Sequence, residues 1–482
     1  MIIVIGFFAI LAGLIATTGS PIPVLLMVGL MGGIALLMAP RLSIWMLLVF
    51  GLVSGFFVSL GPEQLTKFPW ILTLLSMLLL LPAAVKFVES KNIPSFIWIA
   101  LVFMIFTLFS TIVQWYSLPQ LVAGFKRYFQ MYGLMFALAL IVFRPDDYKR
   151  WLKLLLIIAL AQLPFALFEH FVLMGIRIDR GVGVADATDV VAGTLGANME
   201  GGSANAEMAA FLIMAMAFLI ARWKEGLIQK RRVVWMCLLC LLPLGLGETK
   251  VVVLLLPLVW LILMRDNFKK NAGQFLIQFL GLLFVTSIFG AIYFSMNENA
   301  GGEVLGKIID YNFGDVGYGT SLLNRTTVIS FWWNNQSWND PLGFLLGHGL
   351  GSSFSAEGNL VPGNIAVQYG RYGIDLTAAS SLLWDTGLMG LSLFLAIFVA
   401  AWFAAVKLRK SSESTDVRAD ALAIQACIAV FLSYVFYDYD LVNYLPFEVI
   451  AAAVLGYLGY LVRNNNLDST VRITTSAKCL KY

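Results

Sequence analysis

Apolar segments recur along almost the whole chain, and each is about as long as a membrane is thick. Runs of roughly 17 to 25 mainly apolar residues are separated by short stretches in which charged residues, Pro, Gly and Asn collect. Apolar residues make up 60% of the 482 residues and charged residues only 12%, which leaves too little polar surface for a soluble domain. The pattern predicts an all-α fold, a polytopic membrane helical bundle.

Dividing the chain at these breaks predicts about 12 to 14 transmembrane helices. No small-residue cleavage site followed by a polar region comes after the first apolar run, so we predict a membrane helix there and not a signal peptide. The predicted spans lie near residues 2–17, 21–39, 43–60, 69–86, 95–114, 128–143, 151–173, 204–221, 233–247, 250–264, 274–296, 379–406, 420–437 and 441–462.

Basic residues collect in alternate loops, which predicts how the bundle is oriented. Cytoplasmic loops of membrane proteins carry an excess of Lys and Arg, so the basic stretches should face the cytoplasm together with both termini. Loops 175–203 and 297–378 then lie outside. Lys126 and Arg127 also fall at the outer face, where snorkelling to lipid headgroups is the ordinary explanation. The basic stretches are 143–150, 221–232, 264–270 and 407–410.

The spans divide the chain into five parts, and the third of these is a large outer-face loop. Within it, apolar and aromatic residues of "NRTTVISFWWNNQSW" (324–338) recur at helical spacing. We therefore expect short helices in this loop, one of them lying on the outer leaflet. The parts are N-terminal transmembrane helices (1–119), central transmembrane helices (120–296) with the outer loop 175–203, the large outer loop (297–378), C-terminal transmembrane helices (379–463) and a cytoplasmic tail (464–482).

Four cationic side chains of the predicted outer face are candidates for binding an anion. Arginine offers paired donors that match phosphate oxygens, so cations that converged on one pocket would bind phosphate or pyrophosphate. Lys250 opens an apolar run, and a cation at a helix N-terminus opposes the helix dipole, which indicates a bound anion. Pairing of Lys250 with Glu248 is the alternative. The four candidates are Arg127, Arg180, Lys250 and Arg325.

Two further polar residues interrupt the apolar pattern near the outer face. His348 lies in the run "GHGLG" (347–351), and its imidazole titrates in the range that a general base needs. A structural turn would explain the same run. Asp385 lies inside an apolar segment, where an ionisable group faces a cavity or a partner, or caps a helix against the outer loop.

Three segments, taken in order, resemble the bacterial superfamily of O-antigen ligases and Wzy-type polysaccharide polymerases, which are GT-C-like membrane glycosyltransferases. The likeness covers about residues 120–406. Its segments are "RGVGVADATDVVAGTLGANMEGGSANAEMAAFLIMAM" (180–216), "GETKVVVLLLPL" (247–258), and "NRTTVISFWWNNQSWNDPLGFLLGHGLGSSF" (324–354) followed by "SSLLWDTGLMGLSLFL" (380–395).

The resemblance implies roles for the candidate residues. Arg325, Arg180 and Lys250, with Arg127, would bind the pyrophosphate of an undecaprenyl carrier. The ligases place a histidine, followed by Asn, Ser or Gln, with nine residues between this pair and a closing Gly-x-x-Gly, but here Leu376 and Thr377 stand in those two positions before Gly387. Asp375 or His348 would take the place of this base, and the departure favours a polymerase over a ligase.

The expected function is polymerisation of lipid-linked oligosaccharide repeat units into a surface polysaccharide, at the outer face of the bacterial inner membrane. We expect inverting transfer without a metal ion or another cofactor, on the interpretation that no outer loop carries an Asp-x-Asp metal signature. The expected partners are the lipid-linked substrate, membrane lipids and other polysaccharide assembly proteins, with no nucleic acid. The alternatives are ligase-type transfer, a flippase for lipid-linked oligosaccharides, or a non-catalytic scaffold of an envelope assembly.

Overall fold

The chain folds into a bundle of α-helices, as predicted. The computed structural model describes residues 37–61, 63–90, 92–180, 188–199, 204–273, 321–336, 340–355 and 361–479, with isolated positions outside these ranges. Within them the regular structure is helical and contains no strand. The spans predicted near 2–17 and 21–39, and most of the one near 274–296, lie outside the described residues.

The helices are numbered here in chain order, and most coincide with predicted spans. Helix α6 continues through a π-helical turn, Glu169–Leu173, into α7. Short 3-10 turns, Glu63–Lys67 and Asp440–Val442, precede α2 and α16. The helices are α1 (Pro40–Leu60), α2 (Phe68–Glu89), α3 (Ser95–Val113), α4 (Leu118–Phe129), α5 (Tyr132–Leu140), α6 (Pro145–Phe168), α7 (Met174–Asp179), α8 (Asn205–Lys224), α9 (Lys230–Leu246), α10 (Val252–Lys270), α11 (Thr327–Asn335), α12 (Pro341–Leu346), α13 (Asn364–Gln368), α14 (Ala378–Ser411), α15 (Thr415–Tyr437) and α16 (Leu445–Cys479).

Eight segments of the described chain are long and apolar enough to cross a membrane. This establishes a helical membrane protein of the polytopic kind. The predicted helices near 233–247 and 250–264 are present as α9 and α10. The eight segments are Pro40–Ser59, Leu65–Glu89, Ser95–Val113, Pro145–Asp179, Asn205–Lys224, Ala378–Ser411, Thr415–Tyr437 and Leu445–Asn465.

The two ends of the bundle differ in their polar contacts. At one end, here called the basic end, α8, α10 and α14 finish and α15 begins, and arginines there form ion pairs with acids of neighbouring helices. At the other end, here called the site end, lie the segments 347–355 and 437–444. The pairs of the basic end are Arg222–Asp420, Arg409–Asp266 and Arg418–Glu225.

The span predicted near 128–143 was wrong in its form, because the structure divides this region into α4 and α5. The helical pattern breaks at the polar residue Gln130, which is fully buried. Its amide nitrogen donates to the backbone oxygen of Asn443 (3.1 Å) and to the carboxyl group of Glu448 (2.5 Å). The break ends the continuous helix and gives Gln130 its contacts with the segment 437–444 and with α16. It also leaves α4 entirely at the site end.

The helix predicted within residues 324–338 is present as α11. Asn324 starts it, because its side-chain oxygen accepts from the backbone nitrogens of Thr326 (3.0 Å) and Thr327 (2.8 Å). Such side-chain capping satisfies backbone donors that a helix start leaves unpaired. At the far end of the chain, α16 runs on to Cys479, so most of the predicted tail, 464–482, is a continuation of the last helix.

Candidate functional site

The glycines around His348 are required by packing. We call residues 347–355 the glycine loop. Gly347 and Gly351 have φ values of 75° and 79°, a left-handed conformation that side chains rarely adopt. A Cβ atom on Gly347 would lie 2.4 Å from the backbone nitrogen of Thr386, and one on Gly351 would lie 2.6 Å from the backbone oxygen of Gln120. The glycines let the loop press against both α14 and α4.

Asp385 is the residue that holds the glycine loop in place. It is fully buried. One carboxylate oxygen accepts from the Tyr128 hydroxyl (3.0 Å) and the Gly351 nitrogen (3.0 Å), and the other from the Ser352 hydroxyl (2.8 Å) and the Ser353 nitrogen (2.7 Å). A buried carboxylate with four donors is fully satisfied. Asp385 thus anchors the outer loop, one of the two roles that the sequence left open.

A kink in α14 accounts for the position of Asp385. Gly387 leaves the helical conformation, with φ 67° and ψ −170°, and its Cα packs against the backbone of Leu345, where a Cβ would lie 2.4 Å from the carbonyl group. The short helical segment before the kink begins with a capping box formed by Thr377 and Ser380. Asp385 therefore lies two residues before the kink and faces the glycine loop.

Arg127 lies beside this loop and is only partly satisfied. It is 1% exposed, its Nε donates to the side-chain oxygen of Asn443 (2.8 Å), and its guanidinium stacks on the Phe354 ring at 4.3 Å. Its two terminal nitrogens are buried without a hydrogen-bond partner among the described residues. Asp385 attracts the Arg127 charge, but both oxygens of Asp385 already accept two bonds each. Buried unpaired donors of this kind need a physical explanation.

Arg325 is held by the same short segment that holds Arg127, the 437–444 turn. Its Nε donates to the backbone oxygen of Tyr437 (2.5 Å), and its guanidinium lies 4.3 Å from the centre of the Tyr437 ring. A terminal nitrogen is 3.9 Å from a carboxylate oxygen of Asp438. Since Asn443 binds Arg127, these two predicted anion-binding arginines contact the same turn, at residues 443 and 437.

Sequence analysis overlooked the acidic residues of this turn. Asp438 and Asp440 form an Asp-x-Asp pair between the last two predicted spans, so the prediction that no outer loop carries this signature was wrong. Glu207, at the start of α8 and 2% exposed, interacts electrostatically with Asp438 and Arg325. The Asp-x-Asp signal is present in the sequence as "YDYD" (437–440), a very short stretch between two predicted spans. In the described part of the chain, no three His, Cys, Asp or Glu side chains are placed to hold a metal ion.

The segment that precedes α8 also packs against the 437–444 turn. Glu169 accepts from the backbone nitrogens of Ala192 (2.8 Å) and Gly193 (2.6 Å). The side-chain oxygen of Gln162 accepts from the nitrogen of Thr194 (2.8 Å), and the Tyr444 hydroxyl donates to the oxygen of Leu195 (2.5 Å). Residues 190–196 are thereby fixed at the site end.

Arg180 and Lys250 lie on other elements of the site end. Arg180 caps α7 and Lys250 precedes α10, and both side chains are exposed. The structure does not place them on the 437–444 turn with Arg127 and Arg325. Their convergence on a common anion stays a prediction.

His348 lies in the glycine loop with its ring half-buried. Its backbone nitrogen donates to the oxygen of Trp384 (2.8 Å), and its Nε2 is 2.9 Å from the side-chain nitrogen of Gln336. Burial lowers the pKa of His348 below its ordinary value of 6.5, and the nearby carboxylates Asp340 and Asp385 offset this only in part. The imidazole is therefore neutral at pH 7, the form that accepts a proton.

Asp375 is also attached to the glycine loop. Its two carboxylate oxygens accept from the backbone nitrogen (3.0 Å) and the hydroxyl group (2.8 Å) of Ser355. It is half-buried and close enough to act electrostatically on Tyr128. The structure thus attaches both predicted bases, His348 and Asp375, to one loop, whose residue Phe354 underlies Arg127.

An apolar groove opens beside this site, between α2, α3 and α4. Its volume is about 330 Å³. Lys126 stands at the groove with its ammonium group 5.6 Å from the centre of the Trp70 ring. Because Lys126 and Arg127 are consecutive on α4, one helix presents a cation to the groove and the next cation to the glycine loop. The walls are Trp70, Thr73, Leu74, Met77, Leu108, Leu121, Val122, Phe125 and Lys126.

Comparison with known proteins adds no family to this description. No family model matches the chain, and no curated protein is significantly similar to it. The function must therefore be argued from the site itself.

Proposed function

We propose that the protein is a membrane glycosyltransferase that polymerises lipid-linked oligosaccharide repeat units at the site end of the bundle. The observation that carries the proposal is Arg127, a buried guanidinium with two unpaired terminal nitrogens beside a polar loop. A pyrophosphate group supplies oxygens that match these donors, and charge-assisted bonds of this type are the strong ones. The sequence resemblance to polysaccharide polymerases supports the same substrate class.

The groove beside α4 supports a substrate that carries a lipid chain. It is apolar, it lies among helices that are apolar enough to span a membrane, and it ends at Lys126. A polyprenyl chain would lie along the groove while its pyrophosphate passed from Lys126 to Arg127. Cations at such a boundary also bind ordinary lipid headgroups, so the groove supports the proposal without carrying it.

The chemistry follows from the leaving group. Transfer of a sugar from polyprenyl pyrophosphate builds negative charge on the departing pyrophosphate, and preorganised cations that hold this charge accelerate the reaction. Arg127 and Arg325 would hold it, with Arg180 and Lys250 as the further predicted partners. A base, His348 or Asp375 by prediction, would take the proton of the incoming hydroxyl group, which attacks from the opposite face and inverts the anomeric carbon.

We further propose that the site end faces the outside of the bacterial inner membrane. Ion-paired basic residues collect at the basic end, and the positive-inside rule assigns that end to the cytoplasm. The growing chain would then form where surface polysaccharide is assembled, without a metal ion or a cofactor.

The test is reconstitution of the full chain in liposomes with the lipid-linked repeat unit that accumulates in cells lacking the gene. We expect a ladder of polymer lengths from the wild type and loss of the ladder with Arg325→Ala at an equal protein level. Normal polymer from Arg325→Ala would remove Arg325 from the site. The variants His348→Ala and Asp375→Asn, measured in the same assay, identify which predicted base is needed.

The same assay separates the other functions. A ligase would move the saccharide to a different acceptor and leave single repeat units unpolymerised. A flippase would move the lipid-linked unit across the bilayer without forming a bond, and a scaffold would do neither. Any of these three results would contradict the polymerase assignment.

A further inference from the structure

We propose that Asp438, in the turn between α15 and α16, is the general base of the transfer reaction. The inference rests on the proposed function and assigns a catalytic residue that the sequence resemblance does not supply. It is carried by the position of the Asp438 carboxylate beside Arg325, on the turn that Arg127 also contacts.

Backbone nitrogens of the 437–444 turn orient the Asp438 carboxylate. Oδ1 accepts from the backbone nitrogen of Tyr439 (2.7 Å), and the backbone of Asp440 also bonds to the carboxyl group. Oδ2 faces a terminal nitrogen of Arg325 at 3.9 Å, too far for a hydrogen bond. The Asp438 side chain is 24% exposed, so part of it reaches the surface.

The two bases predicted from the sequence are engaged elsewhere. Nε2 of His348 lies 2.9 Å from the Gln336 side chain. Both carboxylate oxygens of Asp375 accept from Ser355. Protonation of Nε2 would displace the contact of His348 with Gln336, and protonation of Asp375 would weaken its two bonds to the glycine loop.

The turn also fixes the base relative to the leaving group. Arg325 binds the turn through the Tyr437 oxygen, and Arg127 binds it through Asn443. The backbone oxygen of Asp438 accepts from the nitrogen of Ala378 (3.0 Å), which ties the turn to the start of α14. A base on the turn that both arginines contact would have the fixed orientation that a bimolecular transfer needs.

The proposed step balances as follows. The acceptor oxygen forms a bond to the anomeric carbon while its proton moves to Oδ2 of Asp438. The bond between the anomeric carbon and the pyrophosphate oxygen breaks, and its electron pair stays on the pyrophosphate, next to Arg325 and Arg127. Protonated Asp438 then releases its proton to water, and the carboxylate is restored.

The surroundings of Asp438 give the step a pH dependence. Burial raises the pKa of Asp438 to about 6, and Arg325 opposes this increase. The other ionisable groups facing this cluster are Glu207 on α8, Tyr434 on α15 and Asp440 in the turn. Below pH 6 the carboxylate is protonated and cannot accept a proton, so kcat should fall as the pH is lowered through this value.

The experiment measures kcat, KM and the pH profile of Asp438→Asn in liposomes, with the accumulated lipid-linked repeat unit as substrate. We expect kcat to fall by about 100-fold or more, the typical contribution of a general base, with KM within about threefold of the wild type. The fall of kcat through pH 6 should disappear. The control Asp416→Asn, an exposed aspartate at the other end of α15, should keep kcat within about threefold and keep the acid limb.

Binding of farnesyl pyrophosphate to the purified protein separates a base from a residue that only positions Arg325. Retained affinity in Asp438→Asn supports the base. Affinity lost together with kcat would overturn it, as would more than a third of the wild-type kcat in Asp438→Asn or an unchanged acid limb. Failure of the wild type to polymerise the repeat unit would instead overturn the proposed function, and this inference with it.

Discussion

Two arginines at opposite ends of the bundle differ in how many of their side-chain nitrogens form hydrogen bonds. Arg222, at the basic end, donates from Nε and a terminal nitrogen to the two oxygens of Asp420, at 2.8 and 2.9 Å. Arg127, at the site end, is more deeply buried, yet one nitrogen alone has a hydrogen-bond partner among the described residues. Burying a charge without full pairing costs several kcal/mol. This cost falls at the site end, where we propose that a ligand binds.

The neighbours of the two arginines repeat the contrast. The Tyr457 hydroxyl completes the pair at the basic end by donating to Asp420 at 2.7 Å. At the site end, the hydroxyl oxygen of Ser353 and one carboxylate oxygen of Glu207 are buried and lack hydrogen-bond partners among the described residues. Functional sites are where buried polar groups without hydrogen-bond partners are expected. The predictions below test whether the contrast is one of function or only of packing.

The largest effect is expected when Arg127 is replaced by a lysine, which keeps the positive charge and removes the planar guanidinium group. Arg127→Lys retains a cation but loses the paired donors, so we expect kcat/KM for polymerisation to fall by about 1,000-fold, the upper range for loss of a transition-state donor. Arg222→Lys, the matched control, should reduce thermal stability and leave kcat/KM within about threefold. Equal kcat/KM values of the two variants would show that the two arginines do not differ in function.

The next effect concerns the anchor of the glycine loop. Asp385→Asn replaces one carboxylate oxygen by an NH₂ group that faces existing donors. We expect a loss of about 3 kcal/mol in the free energy of unfolding, because buried donors lose a charged acceptor. Thermal unfolding in detergent measures the loss, and limited proteolysis should cut faster within residues 340–377. An unchanged melting temperature would mean that the four hydrogen bonds do not hold the loop.

A smaller effect is expected from the backbone of the same loop. Gly351→Ala introduces a Cβ 2.6 Å from the Gln120 oxygen at a left-handed φ, which should cost about 2 kcal/mol. Gly370→Ala is the control, since its Cβ would meet no described atom closer than 3.7 Å. Melting temperatures of the two purified variants provide the comparison. Equal melting temperatures would show that the loop is not closely packed on α4.

The smallest effect comes from two tyrosines that donate to the two buried aspartates. Tyr128→Phe and Tyr457→Phe each remove one hydrogen bond, to Asp385 and Asp420 respectively, and each should cost about 1 kcal/mol of stability. The account expects polymerisation to fall several-fold with Tyr128→Phe alone. Equal activity of both variants would show that Tyr128 acts in packing and not in shaping the site.

The periodic signals of the sequence predicted the architecture well. Apolar runs give the spans because a bilayer demands about twenty apolar residues for each helix, and the helical spacing of "NRTTVISFWW" gives α11. The α4–α5 break could not be predicted, because Gln130 ends a helix only by bonding to Asn443 and Glu448, more than three hundred residues away.

The site was predicted less completely, for a related reason. Residue types marked Arg127, Arg325, His348 and Asp375 as candidates, but their grouping depends on the 437–444 turn and the glycine loop, which join distant segments. The glycines of the loop indicated an unusual backbone conformation but did not show which contacts require it. The answer lies in Thr386, Gln120 and Asp385, whose contacts no local pattern reveals.

The most direct test of the account is the affinity of the purified protein for farnesyl pyrophosphate, compared between Arg127→Gln and Arg222→Gln. If the unpaired nitrogens of Arg127 bind pyrophosphate, Arg127→Gln weakens binding at least tenfold, since bonds to a charged group contribute about 1.5 to 3 kcal/mol. Arg222→Gln should stay within about twofold of the wild type. Equal affinities in all three proteins would contradict the account, because Arg127 would then be a packing residue and the site end would hold no anion there.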